Sequence, residues 1–198
     1  MAGLVVYAAP AEEPVTTAEV MAFIRSDTTE ESALTMFIKS ARESAESITR
    51  RALVTQTLDL YVDQFPWGDI VLPRPKVQSV SAITYVDNNG TTQTLSTDNY
   101  VLDSVSEPGR VALAYGYSWP TARTQNNSIK VRYVTGYGLA SSVPDGIKHW
   151  MLMRIKQLYD HRDSVSTAGN MLEMPYKFVD GLLDSYIVPD FGWDSSCN

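Results

Sequence analysis

The chain has 198 residues, 44% hydrophobic and 20% charged, with a formal net charge of −7. This suits one globular domain, or one domain with an insertion, and excludes a disordered composition. The acidic balance argues against a direct nucleic-acid clamp, which shows a basic stripe, and a single cysteine, Cys197, excludes an internal disulfide framework.

The opening "MAGLVVYAAP" is apolar but short and has no basic residues before it, so it does not read as a signal peptide. No run approaches the ~18 apolar residues of a membrane span. Charge is uneven along the chain. Residues 1–31 and 160–198 each carry a net −5, which leaves the body between them mildly basic. Acidic ends around such a body could match charge between copies or partners, although solvated surface is the plainer reading.

"PVTTAEVMAFIR" opens the folded part. Thr16 and Glu19 form a T-x-x-E capping box, and Val20, Phe23 and Ile24 then share a helical face. This short helix ends near Arg25–Ser26. Thr28 and Glu31 repeat the capping pattern before a longer helix. Its stripe is Leu34, Phe37, Ile38, Ala41, Ala45 and Ile48, with acids at its start and Arg50–Arg51 at its end.

At residue 53 the rhythm changes to alternation. "TQTLDLYVDQF" sets Leu58, Leu60 and Val62 against Thr57, Asp59, Tyr61 and Asp63, a strand with one face in water. "DIVLP" is a short apolar strand. Pro73 and Pro75 end it and set the path to the next, because proline cannot donate to a ladder. Arg74 and Lys76 then stand at a sheet margin, where basic residues discourage edge pairing. "VSAITYVD", Asn88-Asn89-Gly90 and "TTQTL" read as a hairpin with a type I′ turn. "NYVLD", "GRVALAY" and "NSIKVRYVTGY" complete about six short strands in hairpin or meander order.

Helix returns at Pro144, with Ile147, Trp150, Met151, Ile155, Leu158 and Tyr159 as its stripe. "MPYKFVDGLLDSY" predicts a further helix with Val179, Leu182, Leu183 and Tyr186 on one face, and "IVPDFGWDSSCN" a tail. The expected fold is α+β: a helical bundle formed by N- and C-terminal helices with an inserted antiparallel β subdomain. The expected boundaries are 14–52 and 142–187 for the bundle, 53–137 for the β subdomain and 188–198 for the tail. Leu34, Phe37, Ile38, Ile48, Trp150, Met151, Ile155, Tyr159, Leu182 and Leu183 are the expected core of the helical part.

Chemistry finds no foothold. There is no G-x-S-x-G, no P-loop or dinucleotide fingerprint and no metal-ligand spacing. His149 and His161 fall twelve residues apart on one helix, about 18 Å, too far to share a metal. No catalytic residue, cofactor or metal is expected, and the chain does not read as an enzyme. Lys130, Arg132, Tyr133 and Tyr137 interleave bases and aromatics as single-strand binders do, but ordinary strand alternation produces the same pattern.

Taken in order, "PVTTAEVMAFIR", "ARESAESITRRALVTQTLDLYVDQFP", "IVLPRPKVQSVSAITYVDNNG", "YSWP", "VRYVTGYG…VPDGIKHWMLMRIKQLYDHRD" and "MPYKFVDGLLDSY" resemble the head–tail connector (adaptor) family of tailed bacteriophages. The likeness spans about residues 14–187 and rests on the ordered set of phrases. It implies a structural virion protein that forms a homo-oligomeric ring, a dodecamer, under the portal protein. Such a ring extends the DNA channel and docks the next head-closure (stopper) or tail-completion protein. The implied place is the virion neck, assembled in the host bacterial cytoplasm, with genomic DNA passing without sequence-specific binding and no membrane involved.

Phe191, Trp193 and Tyr186 are candidates for the portal interface, since two aromatics stand in an otherwise polar terminus. Arg74, Lys76 and Arg162 are candidates for ring contacts. The competing reading is a phage tail or surface ligand-binding module with a β-sheet binding face.

Overall fold

The computed structural model describes residues 3–25, 31–160 and 181–189. They fall into two compact units. The helical unit comprises Glu12–Val54 and Gly138–Ile187, and the β unit takes the chain up to Ala11, Thr55–Tyr137 and Val188 onward. The class is α+β with antiparallel sheets.

In chain order the elements are β1 (Gly3–Ala8), α1 (Thr17–Ile24), α2 (Glu31–Thr49), β2 (Gln56–Val62), β3 (Ile70–Leu72), β4 (Val77–Val86), β5 (Thr92–Thr94), β6 (Tyr100–Asp103), β7 (Gly109–Leu113), β8 (Ile129–Thr135) and α3 (Asp145–Asp160). The start of α1 is held by the expected capping box. The Thr16 hydroxyl accepts from Glu19 N at 3.2 Å, and Glu19 Oε2 accepts from Thr16 N at 2.6 Å. Arg25 closes the helix in the left-handed region, φ 55°. The second expected box rests on Thr28, which lies outside the described residues.

α2 packs on α3, and α1 touches both. Leu34, Ile38, Trp150, Met151, Ile155 and Leu183 are buried, and Phe37, Tyr159 and Leu182 are half-buried. Ile48, expected in the core, is 37% exposed. The buried stripe runs Leu34, Ile38, Ala41, Ala45 and then Thr49, because at 3.6 residues per turn the next inward position after 45 is 49. Thr49 satisfies its hydroxyl by donating to Ala45 O at 2.7 Å. Of the helix expected over 174–186, residues 174–180 lie outside the described residues, and Asp184–Tyr186 form a single 3₁₀ turn.

The β unit has two antiparallel sheets, β1-β2-β8-β4-β5 and β3-β7-β6. Their inward side chains share one core, including Leu58, Leu60, Ile70, Leu72, Ile83, Val111, Ile129, Val131 and Tyr133. The arrangement is not a meander, because the last strand, β8, inserts between β2 and β4. Its Ile129, Val131, Tyr133 and Thr135 are all buried, and a strand with so complete an inward face is best placed at the sheet centre. The opening "GLVVYA", expected to precede the fold, is β1, paired along β2 from Gly3↔Tyr61 to Val6↔Leu58.

The β4–β5 turn also differs from expectation. Only Gly90 takes a left-handed φ, 84°, among Asn88, Asn89 and Gly90, so the turn is not type I′. Gly90 N donates to Asp87 O and Asp87 N to Thr91 O, each at 2.9 Å. That is a type I turn with a glycine bulge. The Asp87 carboxylate favours it by accepting from Asn89 N and Thr91 N, both at 2.9 Å.

Candidate functional site

Two loops flanking β3 are braced against the rest of the β unit. The first is Asp63–Asp69, sequence "DQFPWGD". It is braced at both ends. Asp63 Oδ1 accepts from Asn127 N at 2.8 Å and Asp63 O from the Ser128 hydroxyl at 2.6 Å. Near the other end Gly68 O accepts from Trp119 Nε1 at 3.1 Å, while the Trp119 ring stacks on Phe65 with centroids 5.0 Å apart. Between these braces Trp67 stands clear of the protein, 106% exposed.

The second loop is Pro73–Lys76, which the sequence marked as a sheet margin. It joins β3 to β4 as expected, with Arg74 in the left-handed region at φ 63°. β8 holds it. The Tyr133 hydroxyl donates to Pro73 O at 2.6 Å, and Gly136 N donates to Lys76 O at 2.9 Å. The Thr135 hydroxyl lies within reach of both Arg74 O and Lys76 O. Burial raises the Tyr133 phenol well above its usual range, so it remains a donor at any ordinary pH. Lys76 is exposed, with its ammonium 5.6 Å over the Tyr137 ring.

The second face of the large sheet is not the open polar face expected from alternation. Asp59 is only 4% exposed. Arg132 grips it with two 2.7 Å bonds and lies 3.3 Å under the Tyr7 ring. The Asp59 hydrogen bonds raise the Arg132 pKa, so the guanidinium stays charged. The interleaved bases and aromatics of β8 therefore form no stacking platform. Tyr133 points into the core, and Arg132 is committed to Asp59.

In the helical unit, Tyr186 is half-buried. Its carbonyl accepts from Arg51 Nε at 2.6 Å, and its ring packs over Gly146, where an added Cβ would meet the hydroxyl at 2.9 Å. Phe191, Trp193 and Arg162 lie outside the described residues. Arg74 and Lys76 share one loop, so the structure brings together two of the nominated ring-contact residues. Sequence reading passed over Trp67, although a Pro-Trp-Gly between two acids was a usable sign of a presented aromatic. Among the described residues no group of three or more His, Cys, Asp or Glu could hold a metal, and no helix is long and apolar enough to cross a membrane.

No protein-family model matches the chain, and neither does any curated protein. Solved structures do. The chain is similar to one in the virion of a native gene transfer agent (GTA) particle, with a TM-score of 0.77 and 21% identity, covering 94% of this chain and 96% of that one. It is similar to a chain in the neck of an empty GTA particle computed with C6 symmetry, with a TM-score of 0.78 and 22% identity, covering 95% and 96%. A chain in the neck of a native GTA particle computed with C12 symmetry matches at a TM-score of 0.68 and 23% identity, covering 92% and 96%. At these identities the likeness establishes a shared fold.

Proposed function

We propose that this chain is a structural subunit of the neck of a phage-like particle, a head–tail connector acting without catalysis or cofactor. The observation that carries the reading is the fold shared with GTA neck chains over nearly the full length of both partners. The connector resemblance of the sequence phrases points the same way. Necks computed with C6 and C12 symmetry support a multi-subunit ring, and the connector resemblance implies twelve copies beneath a portal ring. In this reading α1, α2, α3 and the C-terminal segment form one bundle that faces the portal, with Tyr186, Phe191 and Trp193 in the contact. Arg74, Lys76 and Arg162 serve contacts within the ring, and the opposite face receives the next head-closure or tail-completion protein.

The charge suits a conduit. At −7 per chain, twelve copies carry a formal charge of about −84, and an acidic wall lets DNA phosphate slide without sticking. A ligand-binding module would need an open polar sheet face, and the closed Asp59–Arg132–Tyr7 arrangement argues against one. Negative-stain imaging with and without the cognate portal tests the proposal. Rings stacked on the portal are expected, and a monomer indifferent to the portal overturns it. Removing residues 189–198 should abolish portal attachment while leaving the fold intact by circular dichroism.

A further inference from the structure

We infer that the Trp67 loop of one copy docks on the Arg74–Lys76 loop of the next, head to tail. The inference rests on the ring reading above and names the surfaces that would close it. Loop 63–69 carries two carboxylates, Asp63 and Asp69, and no base, whereas loop 73–76 carries two cations and no acid. Asp63 already accepts from Asn127 N, so the complementary charges offered at the surface are Asp69 on the first loop and Lys76 on the second. Trp67 adds a second match, because an indole face attracts ammonium and guanidinium groups.

The anchored ends of the two loops lie apart in one molecule. Loop 63–69 is fastened to Asn127 and Ser128, just before β8 begins, and loop 73–76 to Tyr133, Thr135 and Gly136, at its far end. The intervening strand spans about 20 Å at ~3.3 Å per residue. Complementary surfaces at opposite ends of one body generate a heterologous contact, which closes into a ring when the rotation allows. Both loops are braced by hydrogen bonds to other segments of the β unit, so little ordering is needed on association. Exposure also fits, since Trp67, Asp69 and Lys76 all face solvent.

Zero-length carbodiimide coupling tests this on the full chain. Equal amounts of ¹⁴N- and ¹⁵N-labelled protein are mixed in the presence of the cognate portal, coupled, digested and read by mass spectrometry. The expected product is a mixed-isotope cross-link between Asp69 and Lys76. Trp67→Ala and Asp69→Lys should each lower its yield at least tenfold, with circular dichroism unchanged. The charge-swapped chain carrying Asp69→Lys and Lys76→Asp should recover it. Rings seen by negative stain without this cross-link overturn the docking and leave the neck reading standing. A cross-link without rings upholds the head-to-tail contact and overturns the neck reading. Absence of both removes both.

Discussion

The helical unit and the β unit bury polar groups in different ways. In the helical unit buried arginines gather distant parts of the chain, Arg51 reaching Tyr186 O and Arg42 two carboxylates. Arg42 Nε donates to Glu13 at 2.8 Å and Nη1 to Glu46 at 3.1 Å, with the Arg42 side chain only 7% exposed. The other Glu46 oxygen accepts from Leu53 N at 3.0 Å, so the same carboxylate fastens the exit of α2. In the β unit the work is spread over many hydrogen bonds from hydroxyls and backbone amides, several of them holding loop carbonyls. Its own ion pair, Asp59–Arg132, leaves the arginine side chain 26% exposed. The contrast suggests that a few buried arginines, Arg42 first, should dominate the stability of the helical unit, while losses in the β unit should be smaller and more evenly shared.

The largest effect is therefore expected at Arg42. Arg42→Met keeps the apolar stem but removes the cation that Glu13 and Glu46 share, and removing one partner of a buried pair costs about 3–5 kcal/mol. Urea unfolding followed at 222 nm measures it, and a loss below ~1 kcal/mol would place this pair with ordinary surface bridges and dissolve the contrast.

Next comes Gly109→Ala in β7. A Cβ there would lie 2.8 Å from Val77 Cγ2 and 3.3 Å from Asp103 O. Val77 is buried and cannot retreat, so overpacking of about 1–3 kcal/mol is expected. Thermal unfolding checks it, and an unchanged Tm would mean that the two sheets of the β unit are more loosely packed than their shared core implies.

Tyr133→Phe should cost less, about 1 kcal/mol, the worth of one net hydrogen bond. It removes only the bond to Pro73 O and keeps the ring in the core. If it cost as much as Arg42→Met, the even distribution claimed for the β unit would be wrong.

The same contrast explains what could be read from the sequence. Devices that act within a few residues were legible. The Thr16–Glu19 box, the inward residues Trp150, Met151 and Ile155, and the path set by Pro73 and Pro75 depend only on local spacing. Pairings across long separations were not. Nothing near "GLVVYA" names β2 as its partner, and nothing near β8 says that it enters between β2 and β4. A helical stripe counted in apolar residues alone also hides Arg42 and Glu46, which occupy inward positions because Glu13 and Leu53 N complete their bonding. At Ile48 the count selected the apolar neighbour of Thr49, although the helical pitch favours the threonine. The site was half legible. The basic loop stood out by its prolines, whereas the isolation of Trp67 depends on Trp119, 52 residues further along, drawing Phe65 and Gly68 away beneath it.

The smallest expected effect separates the units by pH. Hydrogen bonds from the Thr16 backbone and hydroxyl lower the Glu19 pKa below its ordinary value of 4.5. Its folded value is depressed, so the unfolded chain binds more protons in this window. The stabilisation is present above the unfolded pKa and is lost as pH falls through the folded one. Asp103 behaves with the same sign in the β unit, held down first by the Ser106 hydroxyl. Acid should weaken both units, but through different residues. Glu19→Gln should flatten the fall in Tm between about pH 5 and 3 when unfolding is followed by helical ellipticity. Asp103→Asn should leave that helical signal unchanged and flatten the near-ultraviolet signal of the aromatic-rich β unit. If both substitutions moved both signals equally, the two units would unfold as one, and their separate modes of polar burial would have no separate consequence for stability.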